Sequence, residues 1–384
     1  QCNQRCHHGK PDNHPLVLYP LRVVGELYER LTEPAAAPPD RPAPLLLFLL
    51  RCPAILCDLL MGIVAYAWAR RGLGHRRSIV VLALVVFNPA VFCDSALYGQ
   101  VDSIHAVLAL AAAMLIDRDR YRWGWAVLGL AFMAKPQTYV LGPLLAIVTF
   151  RRFGWRALLE GGLACAGGMV AVGIPFLAGG TTSSLTHYMI SIAAIHPMVS
   201  MNADNFWWLA AGGRAALLDD ASVLPPLASL GMPLSYRHAG LFLLLILHLP
   251  VWRRVWQTPR APAVLAWAAV SVVVFFNVCT QMHETYLYLA IPLLAVTCLF
   301  DRRLAVLYGR LTATFVANVA LHFPALVQWL VPEHPDLFGG KELNPLRLAV
   351  SVLNTAAMVW ILWSLGRRDI PRKIDGGTAH GLCE

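Results

Sequence analysis

Long blocks of mostly apolar residues with few charges dominate this chain. "LLLFLLRCPAILCDLLMGIVAYAWA" (45–69) and "LAWAAVSVVVFFNVC" (265–279) are two of them. Crossing a bilayer as a helix takes about 20 such residues. Hydrophobic residues make up 58% of the 384 positions and charged residues 14%, against about 25% charged in a soluble domain. The blocks are continuously apolar, not alternating, which excludes a transmembrane β-barrel. The fold class expected is therefore all-α, a polytopic membrane protein whose first partner is the lipid bilayer. A net charge of +9 would suggest nucleic acid in a soluble protein. Here the basic residues sit between the apolar blocks, and no nucleic acid partner is expected. Nine cysteines follow no repeated spacing, and Cys57, Cys165 and Cys298 lie inside apolar runs as small core residues. "CNQRCHH" at the start matches neither a zinc knuckle nor a haem attachment motif. No metal site and no cofactor are expected.

The pattern predicts about 11 transmembrane helices, at 45–70, 78–92, 103–116, 122–134, 137–150, 157–178, 234–252, 262–279, 285–300, 305–321 and 346–365. Basic residues fall in alternate loops: Arg70, Arg71, Arg76 and Arg77; Arg118, Arg120 and Arg122; Arg151, Arg152 and Arg156; Arg253, Arg254 and Arg260; Arg302, Arg303 and Arg310; and Arg367, Arg368, Arg372 and Lys373. The positive-inside rule makes these loops cytoplasmic. A segment with arginines at both ends must then turn back in its middle. So 78–116 turns at "CDSALYGQVDS", 122–150 at "AKPQ" and 262–300 at "TQMHET". Pro136 supports the second break, because it lacks an N–H and disfavours helix before it. Three hairpins thus point their apices to the non-cytoplasmic side. Thirteen residues of helix rise only about 20 Å, so the second apex sits at membrane depth. Irregular backbone is tolerated there only inside protein or beside water.

The first helix starts outside, so residues 1–43 are expected outside too, and at least one further helix is expected upstream of Gln1. "HPLVLYPLRVVGELYERL" (14–31) reads as an amphipathic surface helix, and "TEPAAAPPDRPAP" as a Pro-rich linker. The transmembrane domain runs from 44 to 366 and includes an outer loop at 179–233. A cytoplasmic tail, 367–384, follows.

Four polar groups fall on one membrane face. They are "YGQVDS" with Tyr98, Gln100 and Asp102, preceded by Asp94; Lys135 with Gln137; His283 with Glu284, followed by Tyr286; and "NADNFWWL" in the long outer loop, with Asn202, Asp204, Asn205, Trp207 and Trp208. Each has a plain structural reading. Asp102 can cap a helix, and Glu284 can favour a first turn. Lys135 can snorkel. Trp207 and Trp208 can form an aromatic belt. His105 reads as a hydrogen-bonded core histidine. Acid, base, cation and amides converging on one face favour function, because ionisable groups in a membrane are costly.

"GQVD", the Lys–Pro–Gln after a short helix, and "MHETYLYLAIP" at a later hairpin tip resemble the GT-C superfamily of integral membrane glycosyltransferases. They are most similar to its bacterial mannosyltransferase-like members. The segment 14–31 followed by "RCPAILCDLLMGIVAYAWAR", with Asp58, resembles the part after that family's first outer loop. The resemblance covers roughly residues 12–300. It implies transfer of a mannose-like hexose from a polyprenyl-phosphate sugar donor to a glycan or lipid-linked acceptor. The site would face the periplasmic side of a bacterial cytoplasmic membrane. Lys135 and His283 would hold the donor phosphate, with Asp102, His283 and Glu284 as the catalytic group. Gln100, Gln137, Asn205, Trp207 and Tyr286 would bind sugar or acceptor. The family's arginine after His-Glu is Thr285 here, so one phosphate contact is absent. The family's first outer loop, which supplies a catalytic carboxylate, would lie upstream of Gln1. Buried charges and broken helices also suit a secondary transporter, or a flippase of a lipid-linked substrate. Such a carrier should place its site near the midplane between internal repeats, and no repeat is visible.

Overall fold

The computed structural model describes residues 14–32, 44–183, 185–186, 197–225, 229, 231, 233–322, 345–367 and 370. The "CNQRCHH" segment, the Pro-rich linker from 33 onward, part of the outer loop and nearly all of the tail lie outside them. The described chain is helical, with isolated bridges in place of strands.

Helix α1 spans Pro15–Leu31 and α2 Pro44–Val86. A short α3, Pro89–Phe92, runs into a π-helical turn at Cys93–Tyr98. Then follow α4, Asp102–Asp117, α5, Tyr121–Ala134, and a 3₁₀ turn at Pro136–Val140 leading into α6, Leu141–Ala178. After the loop come α7, Phe206–Ala210, α8, Tyr236–Gln257, and α9, Ala263–Val278. A 3₁₀ turn at Glu284–Leu287 leads to α10, Ala290–Thr297, then α11, Arg302–His322, and α12, Pro345–Arg367.

Two of these helices fold back on themselves. Gly74, at φ +74°, and Gly154, at φ +82°, adopt a left-handed backbone inside α2 and α6, a conformation that favours glycine. A Cβ on Gly62 would meet Val86, twelve residues either side of Gly74. Trp125 touches both limbs of α6, donating from Nε1 to Thr149 Oγ1 at 2.9 Å and lying against Gly161. Each of the eleven segments expected from the sequence therefore has its helix. Five stretches are long and apolar enough to cross a membrane: Pro44–Tyr98, Pro136–Ala178, Tyr236–Gln257, Arg302–His322 and Pro345–Arg367. The protein is an all-α polytopic membrane protein. Its flanks carry exposed leucines, isoleucines and aromatics such as Phe48, Leu163, Leu245 and Trp363.

The core is built on α9 and α10, whose residues are nearly all buried. Around them α4 packs between α2 and α5, and α5 lies closely on α6. Small residues permit that approach: a Cβ on Gly129 would run into the Cys165 carbonyl, and one on Gly168 into that of Ala126. Arg118, Arg151, Arg152, Arg254 and Arg303 gather at one end and tie its loops. Arg152 reaches the Asp117 carbonyl at 2.9 Å and Asp119 at 2.6 Å, and Arg303 pairs with Asp301 at 2.6 Å. The three hairpin turns meet at the other end.

Candidate functional site

The first two hairpin turns are local consequences of their sequence, and the third is held from a distance. Gly99 ends the π-helical turn at φ +77°, where a side chain would be strained. Lys135 is extended, at φ −157° and ψ 132°, between α5 and Pro136, as expected before a proline. The third turn passes through Gln281, a non-glycine residue at φ +63°. Asp220 fixes that residue by accepting from Gln281 Nε2 at 2.8 Å and from Thr280 at 3.0 Å. Backbone bonds join the same turn to the outer loop: Met201 N donates to Met282 O at 3.0 Å and Gln281 N to Met198 O at 3.0 Å.

The first two turns are locked together by one ion pair. Lys135 Nζ donates to both Asp102 oxygens at 2.7 Å. Asp102 is fully buried, and 13% of the Lys135 side chain is exposed. Gln137 Nε2 donates to the same carboxylate at 3.2 Å, as does His105 Nε2 at 3.2 Å. His105 Nδ1 then accepts from Thr138 Oγ1 at 3.0 Å. The carboxylate therefore has four hydrogen-bond contacts, from one charged group and two neutral ones. Such a cluster is held in one geometry.

The third turn joins through Glu284. Its Oε1 accepts from Tyr98 Oη at 2.6 Å, and its Oε2 accepts from His283 Nδ1 at 2.6 Å. Glu284 is fully buried, whereas 26% of the His283 side chain is exposed. The Tyr286 ring lies 5.9 Å from the imidazole, centroid to centroid. Burial disfavours the imidazolium of His283, but the Glu284 carboxylate beside it outweighs burial and holds its pKa above the usual histidine value. The Lys135 charge works the other way and that of Asp102 assists. In the outer loop burial pushes Asp220 up, and the Arg237 pair with the Gln281 and Thr280 bonds brings it below the usual aspartate value.

The structure thus brings together Asp102, Lys135, Gln137, His283, Glu284 and Tyr286, with half-buried Gln100 two residues before Asp102. It does not bring Asn205 and Trp207 to this group. Asn205 caps α7 and donates to the Phe276 carbonyl at 2.8 Å, and Trp207 donates to that of Val278 at 2.7 Å. Trp208 is fully buried, with the Arg347 guanidinium 3.5 Å from its ring centroid. Both tryptophans are core residues, not a belt.

Two features escape a reading of local sequence. Asp58 on α2 accepts from Ser95 at 2.5 Å, from Tyr288 at 2.9 Å and from Ser103, which ties the first and third hairpins to the first limb of α2. Asp204 pairs with Arg347 at 2.8 Å and accepts from Asn318 at 3.0 Å, fastening the outer loop to α11 and α12. The sequence marks Asp204 only as a polar residue of the outer loop and Asp58 only through the resemblance, and neither mark reveals its partners. Among the described residues no group of three His, Cys, Asp or Glu side chains is arranged to hold a metal ion.

The model of a known family, glycosyltransferase family 87, matches residues 42–280. That is more than half of the chain. The match takes in Asp58, Asp102, Lys135 and the outer loop, and ends just before His283. No curated protein matches the chain.

Proposed function

The chain belongs to glycosyltransferase family 87 and is a membrane glycosyltransferase; from this premise we propose that it moves a mannose-like hexose from a polyprenyl-phosphate donor to a lipid- or polymer-linked acceptor. The observation that supports this reading most is the convergence of Lys135 and His283 from two separate hairpins onto one partly open site. The clustering of arginines at the opposite end supports a site on the non-cytoplasmic face, by the positive-inside rule.

In the reaction the acceptor oxygen bonds to the anomeric carbon, and the bond from that carbon to the phosphate oxygen breaks. The phosphate gains negative charge as it leaves. Lys135 and the His283 imidazolium supply fixed positive partners for it, through charge-assisted hydrogen bonds. Glu284 orients the imidazole through Nδ1 and sustains its charge. The acceptor proton passes to a carboxylate, and Asp102 is the proposed acceptor. As the phosphate draws on the ammonium, His105 and Gln137 keep that carboxylate in place. Gln100 and Tyr286 contribute hydrogen bonds to hydroxyls at the rim. The test is transfer of labelled sugar by the full-length protein in proteoliposomes, with Lys135→Met and His283→Gln as controls. Loss of transfer in both variants at normal folded yield is expected, and undiminished transfer in either removes its residue from the site.

A further inference from the structure

We propose that Arg51, on the first limb of α2, is a further substrate-binding residue that takes the phosphate of the polyprenyl substrate at the lipid-facing rim of the site. The inference takes its ligand from the transferase reading above. The apolar block 45–69 holds two charged residues, Arg51 and Asp58, seven positions apart. Seven residues make nearly two full turns, so both lie on one face of the helix. Asp58 faces the first and third hairpins, where Ser95, Ser103 and Tyr288 satisfy it. Arg51 meets the first hairpin about 10 Å nearer the start of α2.

The contact is with the turn that carries the site. Arg51 Nη2 donates to the Leu97 carbonyl at 3.2 Å. A Cβ on Gly99 would stand 3.6 Å from Arg51 Nε, so the guanidinium rests on the glycine that ends the turn. Between these two residues, Tyr98 donates to Glu284 at 2.6 Å, and Glu284 accepts from His283 at 2.6 Å. Leu97, which anchors Arg51, and Tyr98, which reaches the His283 group through Glu284, are adjacent residues.

The Leu97 bond uses one of the five guanidinium N–H groups. Among the described residues the side chain has no other hydrogen bond and no ion pair. Arg51 is half-buried. Phe48, three residues before it, and Leu56 are exposed on the lipid flank, so the arginine lies at the seam between that flank and the hairpin. A cation without a counter-charge is costly in an apolar span and marks function by default. Its partner is an anion that arrives from the bilayer. A lipid phosphate has that character, and the planar guanidinium fork matches phosphate oxygens. In the proposed reaction the phosphate gains negative charge as the sugar leaves, so Arg51 holds the product more tightly than the donor. Bulk phospholipid offers the same group, and the test separates the two sources.

The test is equilibrium binding of labelled polyprenyl phosphate to the full-length protein in phosphatidylcholine nanodiscs, with transfer kinetics in vesicles of the same lipid. Arg51→Gln should raise the dissociation constant roughly ten- to hundredfold, the worth of a charge-assisted hydrogen bond. The donor KM should rise by less, and the acceptor KM should stay unchanged. Arg51→Lys, which keeps the charge and loses the fork, should recover part of the affinity. Both variants should melt with the wild type. An unchanged dissociation constant in Arg51→Gln overturns the inference. A loss that Arg51→Lys does not relieve, and that follows a lowered melting temperature, also overturns it, because Arg51 then only caps the turn. An Arg51-dependent response to added phosphatidylglycerol, with polyprenyl phosphate binding unaffected, assigns the residue to bulk lipid and overturns it too. Arg51-dependent binding without transfer by the wild type overturns the transferase reading and leaves this inference standing.

Discussion

Replacing Lys135 by Met separates stability from catalysis. Asp102 is fully buried, and both of its oxygens accept from the ammonium at 2.7 Å. Removal of the ammonium leaves a buried carboxylate with two neutral partners, Gln137 and His105, each at 3.2 Å. Breaking a buried pair in this way costs about 3–5 kcal/mol. Asp102→Asn leaves a lysine that already reaches solvent, and costs about 1–2 kcal/mol. The double variant has neither charge to desolvate, so its loss should fall well short of the sum. A double-mutant cycle by equilibrium unfolding in mixed micelles should therefore give a coupling of at least about 2 kcal/mol. Transfer behaves differently. A group aimed at developing charge is worth roughly 10²–10³ in rate, and the double variant recovers none of it. Strict additivity would refute the ion-pair argument. A double variant that regained transfer along with stability would refute the catalytic one.

The transfer rate should depend on the imidazolium of His283, whose pKa Glu284 holds above the usual histidine value; the rate is full below that pKa and falls as pH rises through it, and His283→Gln should erase this limb of the pH–rate profile. Gly129→Ala places a methyl against the Cys165 carbonyl and should cost about 1–3 kcal/mol by detergent melting, whereas Gly162→Ala, with nothing near its Cβ, should stay within about 0.5 kcal/mol of wild type. Asp220→Ala leaves Gln281 and Thr280 unpaired and should cost about 1–3 kcal/mol. Because Asp220 titrates below the usual aspartate value in the folded protein, its contribution is present above that usual value, about 3.9, and is lost as pH falls through the folded one. Acid unfolding of Asp220→Ala should therefore be less steep than that of wild type.

The helices and two of the hairpin turns were legible because each has a local cause, whereas the third turn is held by Asp220, 61 residues from Gln281. Apolar length marks the spans, arginines mark one set of turns, and Pro136 marks a break that the structure places between α5 and α6. The Lys135–Asp102 pair was legible in part: both residues were candidates, but nothing local pairs positions 33 apart. The same limit hides the Asp58 bond to Tyr288, 230 residues away, and the Asp204–Arg347 pair, 143 apart. Asn205 and Trp207 show a different limit. Their polar and aromatic character suggested a groove wall, yet their side chains serve α9 backbone carbonyls. The helix at 14–31 was legible as amphipathic. The surface its apolar side meets is set by Ile104 and Ala134, which lie in separate helices.

The most direct test of the account is turnover by the full-length protein in proteoliposomes loaded with labelled polyprenyl-phosphate mannose and an extracted lipid-linked acceptor pool. The account predicts labelled glycosylated product, formed only when Lys135 and His283 are intact. Donor bound without turnover, or label carried across the bilayer with its phosphate linkage unbroken, would contradict it.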